Sequence, residues 1–309
     1  MIPSVAGPEL EASLTEVADG VYAYVQPPGG WCVSNAGVVA GPDGALVIDT
    51  LATERRARRL RDAVDALRPG PRRTVVNTHH HGDHNFGNHL FGPAAQVVAH
   101  ELARTEMAAT GMALTGLWPD VQWGDVRVTL PTLTFAGRAA VHVGDRRVEL
   151  LHVGPAHTTN DVVAWLPDER VLFAGDVVLS GSTPFNLMGS VSGALVAVRR
   201  LRELGARTIV CGHGPVAGPE VFDTTTDYLE WIQRLAADGA AAGLTPLEVA
   251  RESGTGDFGH LIDPERIVGN LHRAYAELGP GDLGRPLDVV SIFGEMVEYN
   301  DGLVPTCLA

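Results

Sequence analysis

Short apolar runs alternate with turn residues in the first half of the chain. GVYAYVQ (20–26), SNAGVVAG (34–41) and GALVIDT (44–50) read as strands, separated by PPGG and GPDG. Residues 53–67 change to a helical period, with Leu60, Val64 and Leu67 on one face. RTVVNT (73–78) is a further strand running into a histidine-rich turn, with a helix starting near His84. QVVAH (96–100) predicts a strand, followed by a helix over 101–110. From 126 to 175 the pattern is again β. Two hairpins are predicted there, turning at Gly144-Asp145 and at Pro167-Asp168. A helix over 192–204 and a strand over 208–212 follow. After about 220 the period is helical: 219–241, 245–253, 263–278 and 287–300, with Pro246, Pro264 and Pro286 placed in first turns. This order predicts an α/β fold, a β-core covered by helices, with a C-terminal helical extension.

Composition narrows the function classes. The 309 residues are 45% hydrophobic, enough for a sizeable core, and the net charge is −14. All 23 basic residues are Arg, a codon signature of GC-rich genomes. The acidic balance argues against nucleic acid or an anionic membrane surface as partner. The arginine run at 55–61 reads as the solvated face of a helix. Cys32, Cys211 and Cys307 show no paired spacing, so neither a disulfide framework nor a zinc ribbon is indicated. No secretory leader or apolar span is evident, and a cytoplasmic protein is expected.

Chemistry concentrates in Thr78-His79-His80-His81-Gly82-Asp83-His84. Residues two apart in extended chain share a side, so His79 and His81 face one metal ion together. Gly82 permits a turn that sends Asp83 and His84 in another direction, towards a second ion. Imidazole and carboxylate suit zinc or another borderline metal. Further donors stand just past apolar strands: His157 in GPAHTTND, Asp176 in LFAGD and His213 in CGHGP, with Asp49 closing ALVID in the same way. The remaining histidines (80, 89, 100, 142, 152, 260 and 272) read as surface or core residues.

This ordered set over roughly residues 18–218 resembles the metallo-β-lactamase superfamily. The resemblance implies an αββα sandwich, with a catalytic domain over 1–220 and a helical extension over 221–309 packed on it. It implies that His79, His81 and His157 bind one metal, Asp83, His84 and His213 a second, and that Asp176 bridges them. Two divalent ions, zinc by this resemblance, would share a hydroxide, with Asp83 and Asp176 as catalytic carboxylates and Asp49 orienting ligands.

Departures from subfamily patterns narrow the choice. The superfamily's zinc β-lactamases lack the bridging carboxylate and are exported. Flavodiiron-like reductases have Glu where this chain has His81. The glutathione-binding residues of glyoxalase-II-like thioesterases are not evident. VYAYVQPPGGWCVSNAGVV, GLWPDVQWGD, STPFNLMGSVSG and the tail FGEMVEYNDGLVPTC resemble zinc-dependent polyketide cyclases of actinobacterial aromatic pathways. That resemblance implies aldol-type ring closure of a poly-β-ketone thioester and its hydrolytic release. The implied substrate is a small-molecule polyketide, free or on an acyl carrier protein. Trp31, Cys32, Phe185, Asn186 and Met188 are candidates for its pocket. Trp118 and Trp123 read as packing residues, and Cys211 as a buried small hydrophobe. A generic hydrolase of a thioester, lactone or ester is the alternative, and a non-catalytic metal-binding protein the second. The C-terminal helices could cover the site, pack on the core or pair two copies as a homodimer.

Overall fold

In the computed structural model, which describes residues 11–309, two mixed sheets lie face to face between helical layers. The first sheet holds β1 (Ser13–Ala18), β2 (Val21–Val25), β3 (Ala36–Gly41), β4 (Gly44–Ile48), β5 (Arg72–Val76), β6 (Gln96–His100) and β7 (Leu133–Phe135), side by side in that order. The second holds β8 (Arg138–Val143), β9 (Arg146–His152), β10 (Val162–Leu166), β11 (Val171–Gly175) and β12 (Thr208–Cys211), in the order β12-β11-β10-β9-β8. Both expected hairpins form, as β8–β9 and β10–β11. Strands β4, β5 and β6 run parallel, as do β11 and β12. Crossovers through α1 (Glu54–Ala66) and α5 (Val191–Glu203) make those parallel pairings possible.

The central strands β4, β10 and β11 are buried on both faces because each sheet is covered twice. Along β10, Val162, Ala164 and Leu166 point between the sheets and meet Leu46, Ile48, Val76 and Val98. The alternate residues Val163 and Trp165 point outward, into a core shared with Leu195, Val198, Phe222, Ile232 and Leu271. Gly37 on β3 has a packing reason: a Cβ there would lie 2.3 Å from the Phe173 ring of the facing sheet. On the other outer face, Leu60 and Val64 of α1 cover Val47, Val75 and Val97. The arginines of α1 lie on its outer side, with Arg58 2.7 Å from Glu54 and Arg61 2.6 Å from Asp62.

Five further helices complete the chain around α1 and α5: α2 (Gly82–Asn85), α3 (Glu101–Thr110), α4 (Ala113–Leu117), α6 (Val221–Ala242) and α7 (Pro246–Ser253). Two more, α8 (Arg266–Leu278) and α9 (Val289–Tyr299), follow α7. The whole arrangement is the αββα sandwich with helices at its C-terminus that the sequence predicts. Pro246 is the first residue of α7, under a Thr245–Glu248 capping box. Pro264 and Pro286 instead precede their helices, which begin after Glu265 and Asp288. Strand β1 and helix α4 are not anticipated by the sequence pattern. Residues 126–132 are irregular rather than β. No described helix is long and apolar enough to cross a membrane.

Candidate metal centre

Strand ends deliver the chemistry. Asp49 follows β4, His79 stands three residues past β5, Asp176 follows β11 and His213 stands two past β12. The loop between β9 and β10 brings in His157, and α2 carries Asp83 and His84. The backbones of β11 and β12 approach so closely here that a Cβ at Gly212 would sit 1.9 Å from Asp176 Oδ1. All seven residues that the resemblance names as ligands therefore converge on one spot.

Three sets of donor atoms form: His79, His81 and His157; His79, His84 and Asp176; Asp83, His84 and His213. Within each set the atoms lie within 4.8 Å of one another. His81 Nδ1 lies 3.0 Å from His79 Nε2 and 2.8 Å from His157 Nε2. Asp176 stands between the groups, with Oδ1 3.2 Å from His84 and Oδ2 3.4 Å from His157 and 3.3 Å from His213. Asp83 Oδ2 is 3.4 Å from His213. These spacings suit donors sharing an ion at about 2.0–2.1 Å.

The ring orientations are set from behind. His84 Nδ1 donates to Asp49 Oδ2 at 2.8 Å, His213 Nδ1 to the Gly30 carbonyl at 3.1 Å, and His157 Nδ1 to the Phe185 carbonyl. His79 Nδ1 pairs with Thr78 Oγ1 at 3.0 Å. Each aims its Nε2 inward, where it can bind a metal once that nitrogen is unprotonated. Asp49 is the hub of this support: it also accepts from the Thr78 amide at 2.8 Å and the Thr78 hydroxyl at 2.7 Å.

Charge and satisfaction both fit a cation. Burial and neighbouring histidines hold His79 and His81 well below the usual imidazole range, so both are neutral. Burial opposes ionisation of Asp176, but His213, His84 and His157 keep it well below the carboxylate range. His84 Nε2 and Asp176 Oδ1 are buried without a hydrogen bond, facing each other. Such orphaned atoms are costly unless an ion takes them. The donor set thus fits metal ions.

In the metal-free chain, burial works against a charge on His213, yet Asp176 and Asp83 push its pKa up to about 9. A metal must displace that proton. Burial opposes a charge on His84 too, yet Asp176, Asp83 and Asp49 raise it well above the imidazole range, so we expect metal uptake at neutral pH to release about two protons, with affinity rising as pH climbs towards 9. Calorimetric titration with zinc in two buffers of different ionisation enthalpy measures this, and equal heats in both would contradict it.

His80 lies outside the donor sets. Its ring is buried against Asn160, 3.0 Å from Nδ1, and burial lowers its pKa to about 4. The variant His80→Ala is expected to keep its full metal content by elemental analysis while losing about 1–3 kcal/mol of stability. Of the other histidines, His100 caps α3 and stacks on His152 at 3.9 Å, and His272 pairs with Glu295 at 2.8 Å.

A cavity opens onto the cluster, bordered by His81, Asp83, His157, Asp176 and His213. Trp31, Cys32, Phe185 and Met188 line it. Asn186 does not: its side chain donates to the Ala156 carbonyl at 2.9 Å and its amide to Asn270 at 2.8 Å, so it shapes the loops behind the wall. Trp118 lines the cavity as well as packing, whereas Trp123 stays beneath, edge-on to Phe86. Leu114 and Leu117 of α4, Leu187, Arg266, Val289 and Phe293 complete the wall. The amphipathic pattern of α9 signals a buried face, but nothing in the sequence says that this face meets the cavity. Cys211 is sealed in the core, its thiol pushed up by burial to about 12.

Comparison with known proteins agrees with this geometry. A solved metallo-beta-lactamase from Pontibacter korlensis superposes with a TM-score of 0.58 at 22% identity, covering 71% of this chain and 99% of that one, which shows the fold. Metallo-beta-lactamase type 2 of Bacteroides fragilis is 24% identical over 226 residues, 70% of this chain and 84% of that protein. The 2,4-dinitroanisole O-demethylase subunit alpha of a Nocardioides strain is 26% identical over 247 residues, 78% of this chain and 67% of that protein. Shorter matches cover 25% of Beta-lactamase-like protein 2 homolog of Caenorhabditis elegans, at 34% identity over 25% of this chain. They also cover 39% of human acyl-coenzyme A thioesterase MBLAC2, at 26% identity over 34% of this chain. The family model described as Metallo-beta-lactamase superfamily matches residues 29–213, more than half of the chain and the span from the Trp31 loop to the last histidine of the cluster. With sandwich, donor cluster and family model in agreement, the chain belongs to the metallo-beta-lactamase superfamily.

Proposed function

We propose that this chain is a metal-dependent cyclase and thioesterase, closing a ring in an aromatic poly-β-ketone thioester by an aldol step and releasing the product by hydrolysis. The observation that carries this reading is the aromatic cavity. Trp31 lies 5.5 Å from Trp118, 5.1 Å from Phe185 and 6.5 Å from Phe293, and this set borders the His/Asp cluster directly. Such a wall suits a planar apolar acyl group with few polar anchors. Two relatives support parts of the reading. One is named for thioester cleavage of acyl-coenzyme A, the other for acting on 2,4-dinitroanisole, a planar aryl ether.

In this reading His79, His81 and His157 would hold one ion and Asp83, His84 and His213 a second, with Asp176 as a ligand shared between the two groups. Bound divalent ions, zinc by the donor set, would supply Lewis acidity towards a carbonyl and a nucleophile at neutral pH. The protein supplies the rest. Burial disfavours ionised Asp83, but His84 and His213 keep its pKa below the usual value, so it stays ionised, the state a ligand requires. The aromatic wall holds the chain folded on itself and excludes water while the C–C bond forms. Hydrolysis then breaks the C–S bond to the carrier, which is a small thiol or an acyl carrier protein.

The test is a chelator-controlled assay on a partly cyclised aromatic polyketide thioester, with products read by mass and absorbance. A cyclised, released product that vanishes with chelator is the expected result. Free acid without ring closure would replace this reading with a generic hydrolase of thioesters, lactones or esters. Turnover of no ester or thioester by metal-loaded protein would point to a non-catalytic metal-binding protein.

A further inference from the structure

One charge in the cavity has no place in the reaction above. Arg266, the first residue of α8, is 2% exposed and lines the cavity among apolar side chains and the donor cluster. Its Nη2 lies 2.8 Å from Asp263 Oδ2, and its Nη1 donates to the Thr183 carbonyl at 3.0 Å. The guanidinium carbon sits 4.1 Å from the centroid of the Trp31 ring. The indole is held at its edge too, since Trp31 Nε1 donates to Glu265 Oε1 at 2.6 Å. Two consecutive residues thus clamp one aromatic plate by edge and face. Arg266 Nε, however, is buried and has no acceptor.

A cation fixed by one carboxylate, one carbonyl and one aromatic face cannot swing to find another partner. Its free N–H is a preset donor. We infer that Arg266 is a specificity-determining residue. It donates to an anionic oxygen (carboxylate, phenolate or enolate) of a planar acyl group lying against Trp31. This deepens the function proposed above and rests on it for the planar occupant. Enolised poly-β-ketones carry such acidic oxygens along their length. Asp263 offsets part of the charge, so its carboxylate tunes the anchor rather than supplying it.

Metal-loaded protein is titrated with 2-naphthoate and with its neutral isostere 2-naphthamide. The wild-type chain is expected to bind the anion about tenfold more tightly, the effect of one hydrogen bond to a charged group. Arg266→Met should remove that preference and leave 2-naphthamide affinity within about threefold. Asp263→Asn keeps the arginine and removes its counter-charge. Asp263 has φ 58°, a conformation Asn adopts readily, so this variant is expected to fold. It should bind 2-naphthoate severalfold more tightly and 2-naphthamide unchanged, which keeps the inference testable if the methionine variant misfolds. Persistence of the anion preference in Arg266→Met would overturn the inference, placing the anion on the donor cluster instead. Equal changes for both probes in Asp263→Asn would overturn it as well. Since neither binding ratio depends on turnover, failure of the cyclase assay with these ratios intact would sink the cyclase reading alone.

Discussion

Asp176→Ala is expected to leave a folded chain that has lost bound metal and, with it, at least about a thousandfold in turnover. Among the described residues, no other carboxylate lies within 3.2–3.4 Å of His84, His157 and His213 at once. Its removal also takes away the largest charge lifting His84 and His213, so both fall back towards neutral imidazole. The residue is 9% exposed and carries no core packing of its own, so the melting temperature should differ little from that of metal-stripped wild type. Elemental analysis beside a thermal melt separates the two effects. Turnover within tenfold of wild type would sink the assignment of Asp176 as the shared ligand.

The second large effect is at a residue that touches no metal. Asp49→Asn keeps the shape and suits the backbone, where φ is 62°. It still accepts from the Thr78 amide. It cannot accept from His84 Nδ1, because the amide nitrogen is itself a donor. His84 must then turn its unprotonated nitrogen outward and present an N–H to the cluster. Metal affinity is expected to fall about 10–100-fold with the fold intact. Asp49→Ala should be worse, leaving the Thr78 amide, the Thr78 hydroxyl and His84 without an acceptor at a buried site. Each unmet donor costs about 1–3 kcal/mol. Competition with a chromophoric chelator measures the first effect and denaturant unfolding the second. Equal metal affinity in Asp49→Asn and wild type would contradict the tautomer argument.

Both effects concern residues legible in the sequence, and for one reason. Donors at the ends of apolar strands are announced by the strands: VVNTHHH, LFAGD and IVCGH each place a polar residue where the core pattern stops. The sandwich is legible from the same alternation, since β10 and β11 carry outward and inward sets that are both apolar. The cavity wall is not. Trp31 meets Glu265 across 234 positions, and no local period encodes that meeting. Asn186 sits between two lining residues yet turns away, because the loop spends its side chain on the Ala156 carbonyl. Pro264 and Pro286 mark helix starts to within three residues, but they act as approach residues rather than as first turns. Helix α4 is too short to show a period, and β1 is an edge strand with three of its six residues exposed, so neither has a strong apolar stripe to read.

The wall has one more consequence. Leu114 on α4 and Val289 and Phe293 on α9 border the cavity without belonging to the donor sets or to the Asp49 and Thr78 support behind them. Two separate segments can therefore vary while the reactive centre is inherited unchanged. A library randomised at those three positions should yield many folded, metal-loaded members with divergent ligand preferences. That is the arrangement a lineage needs to diversify its substrates without rebuilding its chemistry.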